Sequence, residues 1–464
     1  MNGNLKVKRN IFLICFCFIF AAFLFGCAKQ PMPAPIVLDG VSREMRSPGF
    51  WIAKIKKPDA VLLNGQEIEK LNSEFEENKL VNNLTKFGTS YFAGKNFGTS
   101  LKKTLAKYNK YKNEKLGAKN IKSALTKVSS NINFSSLNAP VAIQYGLAVK
   151  SSDLRIIPAT IPLYSSKETE GLDRLQVTRL HLGEPLIVSY KTKDGKWFYV
   201  FAREAEGWME ASDIGFCNKE TWNSLLKTNG AKTKTASDFV IVISAVADIY
   251  ADEERTEFIS YAQMGTRFTA EETKDNLVKI KMPSADNKGV LYFKEAFIGK
   301  GDISRGYLKY SRRNVLEQAF KYLNTPYGWG GQDDFLDCSS FIKNVFSCFG
   351  INLPRNSAAQ IHSTSMMKNI SFFKEDDEKS KGAKIMGKAL EGASLLYFPG
   401  HIMLYIGQAN HQPYAIHSIW GYRDKNDKNL YLINKTAVSG MNLGKNSKKG
   451  SLLERTSFIK NMSK

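Results

Sequence analysis

The segment "GGQDDFLDCSSFIKNVFSCFG", residues 330–350, decides the fold of the C-terminal part of the chain. A turn rich in glycine and aspartate ends at Cys338, and the apolar residues after it recur at helical spacing until Gly350 provides a stop. We therefore expect Cys338 at or near a helix N-terminus, where unpaired N–H groups and the helix dipole favour thiolate over thiol. The competing interpretation is a buried, unreactive cysteine, which is how we interpret Cys348 among its phenylalanines.

A nucleophilic cysteine needs a base, and the base needs a residue that orients it. The segment "GHIMLYIGQANHQPYAIHSIWGY" contains two β-rich runs separated by a polar loop. If they form an antiparallel hairpin centred near Ala409, His401 lies directly opposite His417, and one ring can hold the other. The pattern predicts Cys338 as the nucleophile, His401 as the base and His417 as the orienting residue.

The N-terminus is typical of an exported protein. A basic start, "MNGNLKVKRN", precedes the apolar run "IFLICFCFIFAAFLFGC", and together they predict a secretory leader over residues 1–26. The run is slightly shorter than the roughly 20 residues of a full membrane span. Its end, "LFGC", resembles a bacterial lipobox, which predicts that Cys27 is lipidated; an uncleaved signal anchor is the alternative. Ala28 resembles a signal for outer-membrane sorting, so we expect a lipoprotein on the periplasmic side of a bacterial membrane.

Composition limits the classes of partner. A chain of 464 residues with 43% hydrophobic residues can form about three or four domains. The formal net charge of +22 favours anionic partners, but the lysines are scattered as on a solvated face, and no nucleic-acid partner is expected. Three cysteines remain beyond Cys27, an odd number, so at least one thiol stays unpaired or pairs between chains. No zinc-ligand spacing occurs, and no cofactor or metal is expected.

The texture of the sequence changes along the chain and predicts a multidomain protein. Two β-rich runs flank Asp194-Gly195, a strong hairpin signal, and a second block repeats the same rhythm of strands and turns. The last third mixes helical and strand patterns. The expected fold is two small all-β SH3-like barrels plus an α+β papain-like domain, with a partly helical N-terminal segment. The expected boundaries are 27–138 for an N-terminal clip segment, 139–217 and 218–303 for the barrels, and 304–464 for the papain-like domain.

The pattern "TPYGWGG…DCSSF…LPRNSAAQ…GHIMLYIG…IHSIWGYR" resembles the NlpC-type (NlpC and p60) cell-wall cysteine peptidases. The blocks "SSDLRIIPAT…LDRLQ…GEPL…DGKW…GW" resemble the first SH3-like barrel of a multidomain subgroup that also has an N-terminal clip. The resemblance implies a Cys-His-His triad, carried here by Cys338, His401 and His417. Ser340 departs from the family's glycine, and Asn356 departs from its aspartate.

The resemblance also implies substrate contacts. Tyr327, Asp337 and Ser339 match residues that read the free amine of an L-Ala-γ-D-Glu stem, although the turn from Tyr327 to Cys338 is one residue shorter than usual. A carboxylate suits an ammonium, but Asp337 is equally suited to cap the helix. In the first barrel, Asp173 and Arg174 of "GLDRLQVTRL" are predicted to close the amine end of the cleft; the alternative is that this segment only braces the contact between domains.

The implied activity is thiol-dependent hydrolysis of the γ-D-glutamyl–diamino acid bond in peptidoglycan stem peptides, by a monomer. Two alternatives remain open at the level of the sequence. One is a peptidoglycan-binding lipoprotein without catalysis. The other is acyl transfer through the same Cys-His-His site, because hydrolysis and transfer share a thioester.

Overall fold

The computed structural model describes residues 32–33, 35, 37–91, 93–94, 96–229, 239–274, 276–373 and 375–464. The predicted leader and Cys27 lie outside these residues. Within them, no helix has both the length and the apolar character needed to cross a membrane. The α-helices of the described residues are α1 Pro48–Ile52, α2 Gly65–Glu77, α3 Phe97–Tyr108, α4 Gly117–Asn131, α5 Lys219–Asn229, α6 Arg312–Lys321, α7 Cys338–Ser347, α8 Ser357–Gln360, α9 Glu378–Lys388 and α10 Leu452–Arg455.

The strands fall into three seven-stranded sheets and one short pair, β2–β3. They are β1 Met32–Pro33, β2 Ser90–Tyr91, β3 Val141–Ala142, β4 Gln144–Ala148, β5 Ser152–Arg155, β6 Gln176–Leu180, β7 Pro185–Lys191, β8 Trp197–Phe201, β9 Glu206–Glu210, β10 Ile214–Cys217, β11 Phe239–Val242, β12 Val246–Tyr250, β13 Phe258–Gln263, β14 Arg267–Lys274, β15 Leu277–Ala285, β16 Leu291–Gly299, β17 Ile303–Arg305, β18 Asn369–Ser371, β19 Ser394–Phe398, β20 His401–Ala409, β21 Gln412–Arg423, β22 Leu430–Gly440 and β23 Phe458–Asn461.

The C-terminal domain is α+β, as predicted. Its sheet has the order β1-β22-β21-β20-β19-β23-β18, and α7 packs on β20 and β21. The apolar positions read from the sequence as one helix face, Phe341, Ile342 and Val345, are completely buried in the shared core. The helix that starts at Cys338 is therefore fixed directly against the strand that starts at His401.

The two predicted barrels share one topology. The first sheet has the order β10-β4-β7-β8-β9-β5-β6, and the second has the order β17-β11-β14-β15-β16-β12-β13 when read from its other edge. Counted from each domain's own first strand, the two orders are identical. The same fold therefore occurs twice, which confirms the prediction of two all-β domains of one type. The hairpin predicted at Asp194-Gly195 joins β7 and β8, with Gly195 at φ +70°.

One predicted boundary does not match the packing of the chain. The second barrel was expected from residue 218, but α5 follows directly and packs on the first barrel. Trp222 of α5 is buried there, with its ring centroid 5.1 Å from that of Tyr145. The described part of the second sheet begins only at Phe239. This helix therefore belongs to the first barrel, because its apolar side chain is buried there.

The N-terminal segment bridges two domains. Trp51 and Phe75, from α1 and α2, are buried in the core that contains α7 and the C-terminal sheet. Leu105 and Leu125, from α3 and α4, are buried instead in the core of the first barrel. The segment therefore joins the first barrel to the C-terminal domain through two separate apolar contacts.

Candidate active site

Cys338 is the first residue of α7, and Asp337 is the N-cap. The Asp337 carboxylate accepts hydrogen bonds from the backbone N–H groups of Ser339 (3.0 Å) and Ser340 (2.8 Å). In return, the Asp337 N–H donates to Ser340 Oγ at 2.9 Å, which completes a capping box. Ser340, where the family has glycine, therefore strengthens the start of the helix that carries the thiol.

The thiol is buried, and burial outweighs the helix N-terminus. Backbone N–H groups of Ile402 and Ser339 face the Cys338 sulfur and favour thiolate, but burial and then the charge of Asp337 raise the pKa of Cys338 to about 12. Burial therefore opposes the thiolate that the helix N-terminus favours, and the resting thiolate stays a prediction. The contact with the Ile402 N–H also locates the sulfur at the beginning of β20, beside His401.

The two predicted partner histidines meet, although the hairpin register differs from the prediction. Ala409 pairs with Gln412, so the turn lies at Asn410-His411 and not at Ala409. After a bulge between the pairs at Tyr405 and Gly407, Leu404 pairs with Ile416, so His417 lies two residues from the position opposite His401. A displacement of two keeps both side chains on one face of the sheet. His401 Nε2 lies 2.7 Å from His417 Nδ1, so the contact between the histidines is diagonal.

His417 is completely buried, and its Nε2 lies 2.9 Å from Ser439 Oγ on β22. Both nitrogens of His417 are therefore held, which fixes the His401 ring and leaves His401 Nδ1 for the thiol. Burial, and then the positive charge of Arg455, lower the pKa of His401 to about 3. Burial also holds the pKa of His417 well below its ordinary value, so burial favours the neutral forms of both imidazoles and of the thiol.

Asp337 is also bound by a buried arginine that sequence reasoning missed. Arg355 donates to both carboxylate oxygens, at 3.1 and 2.7 Å, to Ser339 Oγ at 2.8 Å, and to Thr178 Oγ1 of the first barrel at 2.6 Å. The Gly330 N–H adds a bond of 3.1 Å to Asp337. These bonds confirm the N-cap interpretation of Asp337. They also occupy both oxygens of its carboxylate, and the Ser339 hydroxyl donates to Asp337 and accepts from Arg355, so these groups have little capacity left for a substrate ammonium.

The glycines of the "YGWGG" segment let the first barrel approach closely. Gly330 and Gly331 have φ of +65° and +81°. A Cβ on Gly330 would lie 2.5 Å from Gln176 Cγ, and one on Gly331 would lie 3.0 Å from Arg179 Cβ. Larger residues would therefore be strained and would also collide with the barrel. On the adjoining residue, the Arg174 guanidinium lies 4.8 Å from the Trp329 ring centroid.

Asp334 ends the same turn and joins all three domains. It accepts hydrogen bonds from Ser151 and Arg179 of the first barrel and from Tyr261 and Gln263 of the second. The second barrel thereby helps to hold the turn that precedes Cys338.

Asp173 and Arg174 have different positions, and only one suits the predicted contact. Asp173 is 1% exposed; its carboxylate pairs with Arg155 at 2.6 Å and accepts the N–H groups of Leu163 and Leu175 at 2.9 and 3.0 Å. Direct contact between Asp173 and substrate is therefore a wrong prediction, because the sequence alone does not reveal the saturating partners. Arg174, on Trp329, lies beside the cleft as expected.

A cavity of about 270 Å³ lies beside His401. Leu172 of the first barrel, together with Tyr327 and Trp329, contributes to its lining. Burial, and then neighbouring Cys338 and Asp337, raise the pKa of Tyr327, so its phenol stays protonated. Despite the shortened turn, Tyr327 thus lies within the site, and the first barrel forms one wall of the cleft.

The structure also locates other residues singled out in the sequence. Asn356 caps α8 by accepting the Ala359 N–H at 2.9 Å. Cys217, Cys338 and Cys348 are all free. Across the described ranges, no three His, Cys, Asp or Glu side chains converge in a group that could hold a metal ion.

Comparisons with known proteins identify two domains. The NlpC/P60 family model matches residues 324–424, and the SH3 domain (SH3b1 type) model matches residues 162–210. A solved structure, of a novel NlpC/P60 endopeptidase from Photobacterium damselae subsp. piscicida, is similar over 93% of this chain and 98% of its own, with a TM-score of 0.71 and 18% identity. That likeness shows that the arrangement of the whole chain is a known fold.

Two curated relatives match shorter stretches. Dipeptidyl-peptidase 6 of Lysinibacillus sphaericus is 34% identical over 98 residues, which are 21% of this chain and 30% of the relative. The bifunctional muramidase/DL-endopeptidase CwlT of Bacillus subtilis (strain 168) is 32% identical over 95 residues, 20% of this chain and 26% of the relative. The chain therefore spans less than a third of the length of these two relatives.

Proposed function

The chain carries an NlpC/P60 family domain, and on that premise we propose that it is a thiol-dependent hydrolase of peptidoglycan stem peptides. The observation that carries the proposal is the arrangement of three side chains. The Cys338 sulfur faces the Ile402 N–H at the start of the His401 strand, and His401 Nε2 lies 2.7 Å from His417 Nδ1. A nucleophile, a base and an orienting residue are thus neighbours in space, in that order.

The chemistry proceeds from a neutral pair. His401 takes the thiol proton as the sulfur attacks an amide carbonyl, because burial disfavours a thiolate beforehand. Asp337 occupies the N–H groups of Ser339 and Ser340. The Cys338 N–H, unpartnered among the described residues, is left to donate to the oxyanion. His401 then protonates the leaving amine, and water hydrolyses the thioester.

The proposed bond joins γ-D-glutamate to the diamino acid of stems with a free N-terminal L-Ala. The barrel supports this choice, since Leu172 and the Arg174–Trp329 pair limit the length of chain at one end of the cleft. Asp337 does not supply charge recognition there, because Arg355 holds it. Selection for a short acyl part therefore comes from the wall.

Incubation with defined muropeptides, followed by mass spectrometry, tests the proposal. Free stem tripeptide should yield L-Ala-D-Glu and the free diamino acid. Products joined to an added amine would instead favour acyl transfer. Intact substrate bound without cleavage would favour the non-catalytic binding protein.

The proposed location is the periplasmic side of a bacterial membrane, with Cys27 as the lipidated residue of an outer-membrane lipoprotein. The support is the leader sequence, which lies outside the described residues. Cys27→Ser should release the protein from membrane fractions or stall its processing. Unchanged membrane association with unchanged mass would point to a signal anchor.

A further inference from the structure

Part of the lining of the cavity beside His401 comes from the loop before α10. Gly444, Ser447 and Lys449 of that loop line it, and so does Arg455 at the end of α10. The roles proposed for the triad and for the barrel wall assign no function to this part of the cavity.

Arg455 is fixed close to the base. Its guanidinium lies 3.9 Å from the centroid of the Phe398 ring, and the Phe398 ring lies 5.4 Å from the His401 ring, centroid to centroid. Arg455 is half-buried, and the stacking on Phe398 holds the guanidinium with little freedom. A positive charge is therefore placed one side chain away from the residue that protonates the leaving amine.

Arg455 has no carboxylate partner among the described residues, and neither has Arg174 on Trp329. Four other arginines near the cleft form ion pairs: Arg155 with Asp173, Arg179 with Asp334, Arg355 with Asp337, and Arg423 with Glu168. Burial alone lowers the pKa of Arg455, with no neighbouring acid to oppose the shift. A partly desolvated guanidinium without an anion is costly unless a ligand supplies one.

The other charged residues that line this part of the cavity do not neutralise Arg455. Lys449 is exposed at the rim. Asp427 is the acidic residue of the described lining, and one of its carboxylate oxygens already accepts the Lys448 N–H at 3.0 Å. Anions are therefore favoured over cations in this part of the cavity.

We propose that Arg455, with Lys449 at the rim, binds a carboxylate of the residue that leaves on cleavage. The inference rests on the proposed function, because it assigns the leaving group to the side of the cleft where His401 donates its proton. A diamino acid leaving through its α-amine carries an α-carboxylate beside that amine. Diaminopimelate carries a second carboxylate at the end of its side chain, whereas lysine carries an amine there. Either carboxylate suits a guanidinium.

Three peptides distinguish binding of the α-carboxylate from binding of the side-chain carboxylate. They are L-Ala-γ-D-Glu-L-Lys, its C-terminal amide, and L-Ala-γ-D-Glu-meso-diaminopimelate. If Arg455 binds the α-carboxylate, the full-length protein should cleave both acids with kcat/KM roughly tenfold to a hundredfold above the amide. If it binds the side-chain carboxylate, only the diaminopimelate peptide should show that advantage. Equal kcat/KM for all three overturns the proposal.

Variants of the full-length protein show whether Arg455 causes the preference. Arg455→Gln should raise KM for the preferred acid by roughly tenfold or more while leaving the amide nearly unchanged, and Arg455→Lys should recover part of the loss. Lys445→Gln removes one charge outside the cavity, in a pair with Glu378, and should leave the preference intact. Equal loss on acid and amide in Arg455→Gln would show a structural role and overturn the proposal.

Binding separates this inference from the proposed hydrolysis. Calorimetric titration of Cys338→Ala with the same three peptides should show the same order of affinity, and Arg455→Gln in that background should abolish it. Selective binding together with an inactive parent protein would keep the subsite and reject the hydrolase. Cleavage without selectivity would do the reverse, and absence of both binding and cleavage would reject both.

Discussion

Arg355 donates hydrogen bonds to both carboxylate oxygens of Asp337, the residue immediately before Cys338, at 3.1 and 2.7 Å. The pair is buried and lies between α7 and the first barrel, where Arg355 also reaches Thr178. One ion pair therefore supports three features: the start of the helix that carries the nucleophile, the contact between domains, and the balance of charge near the thiol.

Removal of this arginine should destabilise the protein strongly. Arg355→Gln leaves the Asp337 charge buried without its partner, which costs about 3–5 kcal/mol. Urea-induced unfolding followed by tryptophan fluorescence measures the loss. Arg313→Gln is the matched control, because the Arg313–Asp59 pair is exposed and should contribute little. Equal midpoints for the two variants would contradict the assigned role.

The same pair predicts the response of stability to acid. Arg355 and the helix N–H groups hold the pKa of Asp337 at about 2, below its ordinary value. The stabilisation is therefore complete above about pH 4 and is lost as the pH falls towards 2. In Arg355→Gln, the loss of stability between pH 4 and pH 2 should shrink or reverse, because burial without the arginine raises the pKa of Asp337 towards or above its value in the unfolded chain. Parallel pH curves for the two proteins would count against this explanation.

A neutral thiol predicts slow alkylation near neutral pH. Since burial and Asp337 raise the pKa of Cys338 to about 12, its reaction with iodoacetamide should be slow at pH 5–7 and rise continuously above pH 8. Peptide mapping by mass spectrometry assigns the modified cysteine. A fast rate that is constant down to pH 5 would instead indicate a thiolate–imidazolium pair.

His417 should act through the orientation of His401. His417→Leu should lower kcat/KM roughly tenfold to a hundredfold, less than His401→Ala, because nucleophile and base remain in place. His417→Gln keeps a side chain able to hydrogen-bond and should recover part of the loss. His411→Ala is the control, since His411 is exposed in the turn between β20 and β21. The interpretation fails if His417→Leu is as active as that control.

The barrel wall should select by size and not by charge. Because Arg155 holds Asp173 and Arg355 holds Asp337, neither carboxylate is free to require an ammonium. An N-acetyl group on L-Ala should therefore cost less than about tenfold in kcat/KM, whereas a stem still linked to glycan should resist cleavage. A chromatographic assay of cleavage compares three matched substrates: the free stem, the N-acetylated stem and the glycan-linked stem. Equal losses in kcat/KM for the acetylated and the glycan-linked stems would show that the site does recognise the charge of the substrate amine.

The sequence was sufficient for features that depend on local pattern. Helical spacing after Cys338 located α7, and the repeated strand rhythm revealed both barrels. The two β-rich runs were sufficient to predict the hairpin, although its turn lies at Asn410-His411 and not at Ala409, which alone would shift the register by three residues. The bulge between Tyr405 and Gly407, which has no clear sequence signal, reduces the shift to two residues and so keeps His401 and His417 on one face.

Long-range partners could not be read in the same way. Arg355, Ser439 and Arg455 reach the site through the packing of separate elements, and no spacing links them to Cys338. Asp173 shows the converse case, in which a residue recognised by its motif is saturated by Arg155 and two backbone N–H groups. Burial of the thiol, which opposes the expected thiolate, likewise follows from the tertiary fold and could not be read from the sequence.

The central claim is that Cys338 is the nucleophile, and substitution of two buried cysteines tests it most directly. Cys338 and Cys348 lie ten residues apart, at the start and just beyond the end of α7, and both are free and buried. The measurement is the rate of L-Ala-D-Glu release from a defined stem tripeptide, with circular dichroism to confirm folding. Cys338→Ala should lose detectable cleavage, and Cys348→Ala should cleave at close to the parent rate. Parent-like cleavage by folded Cys338→Ala would contradict the account.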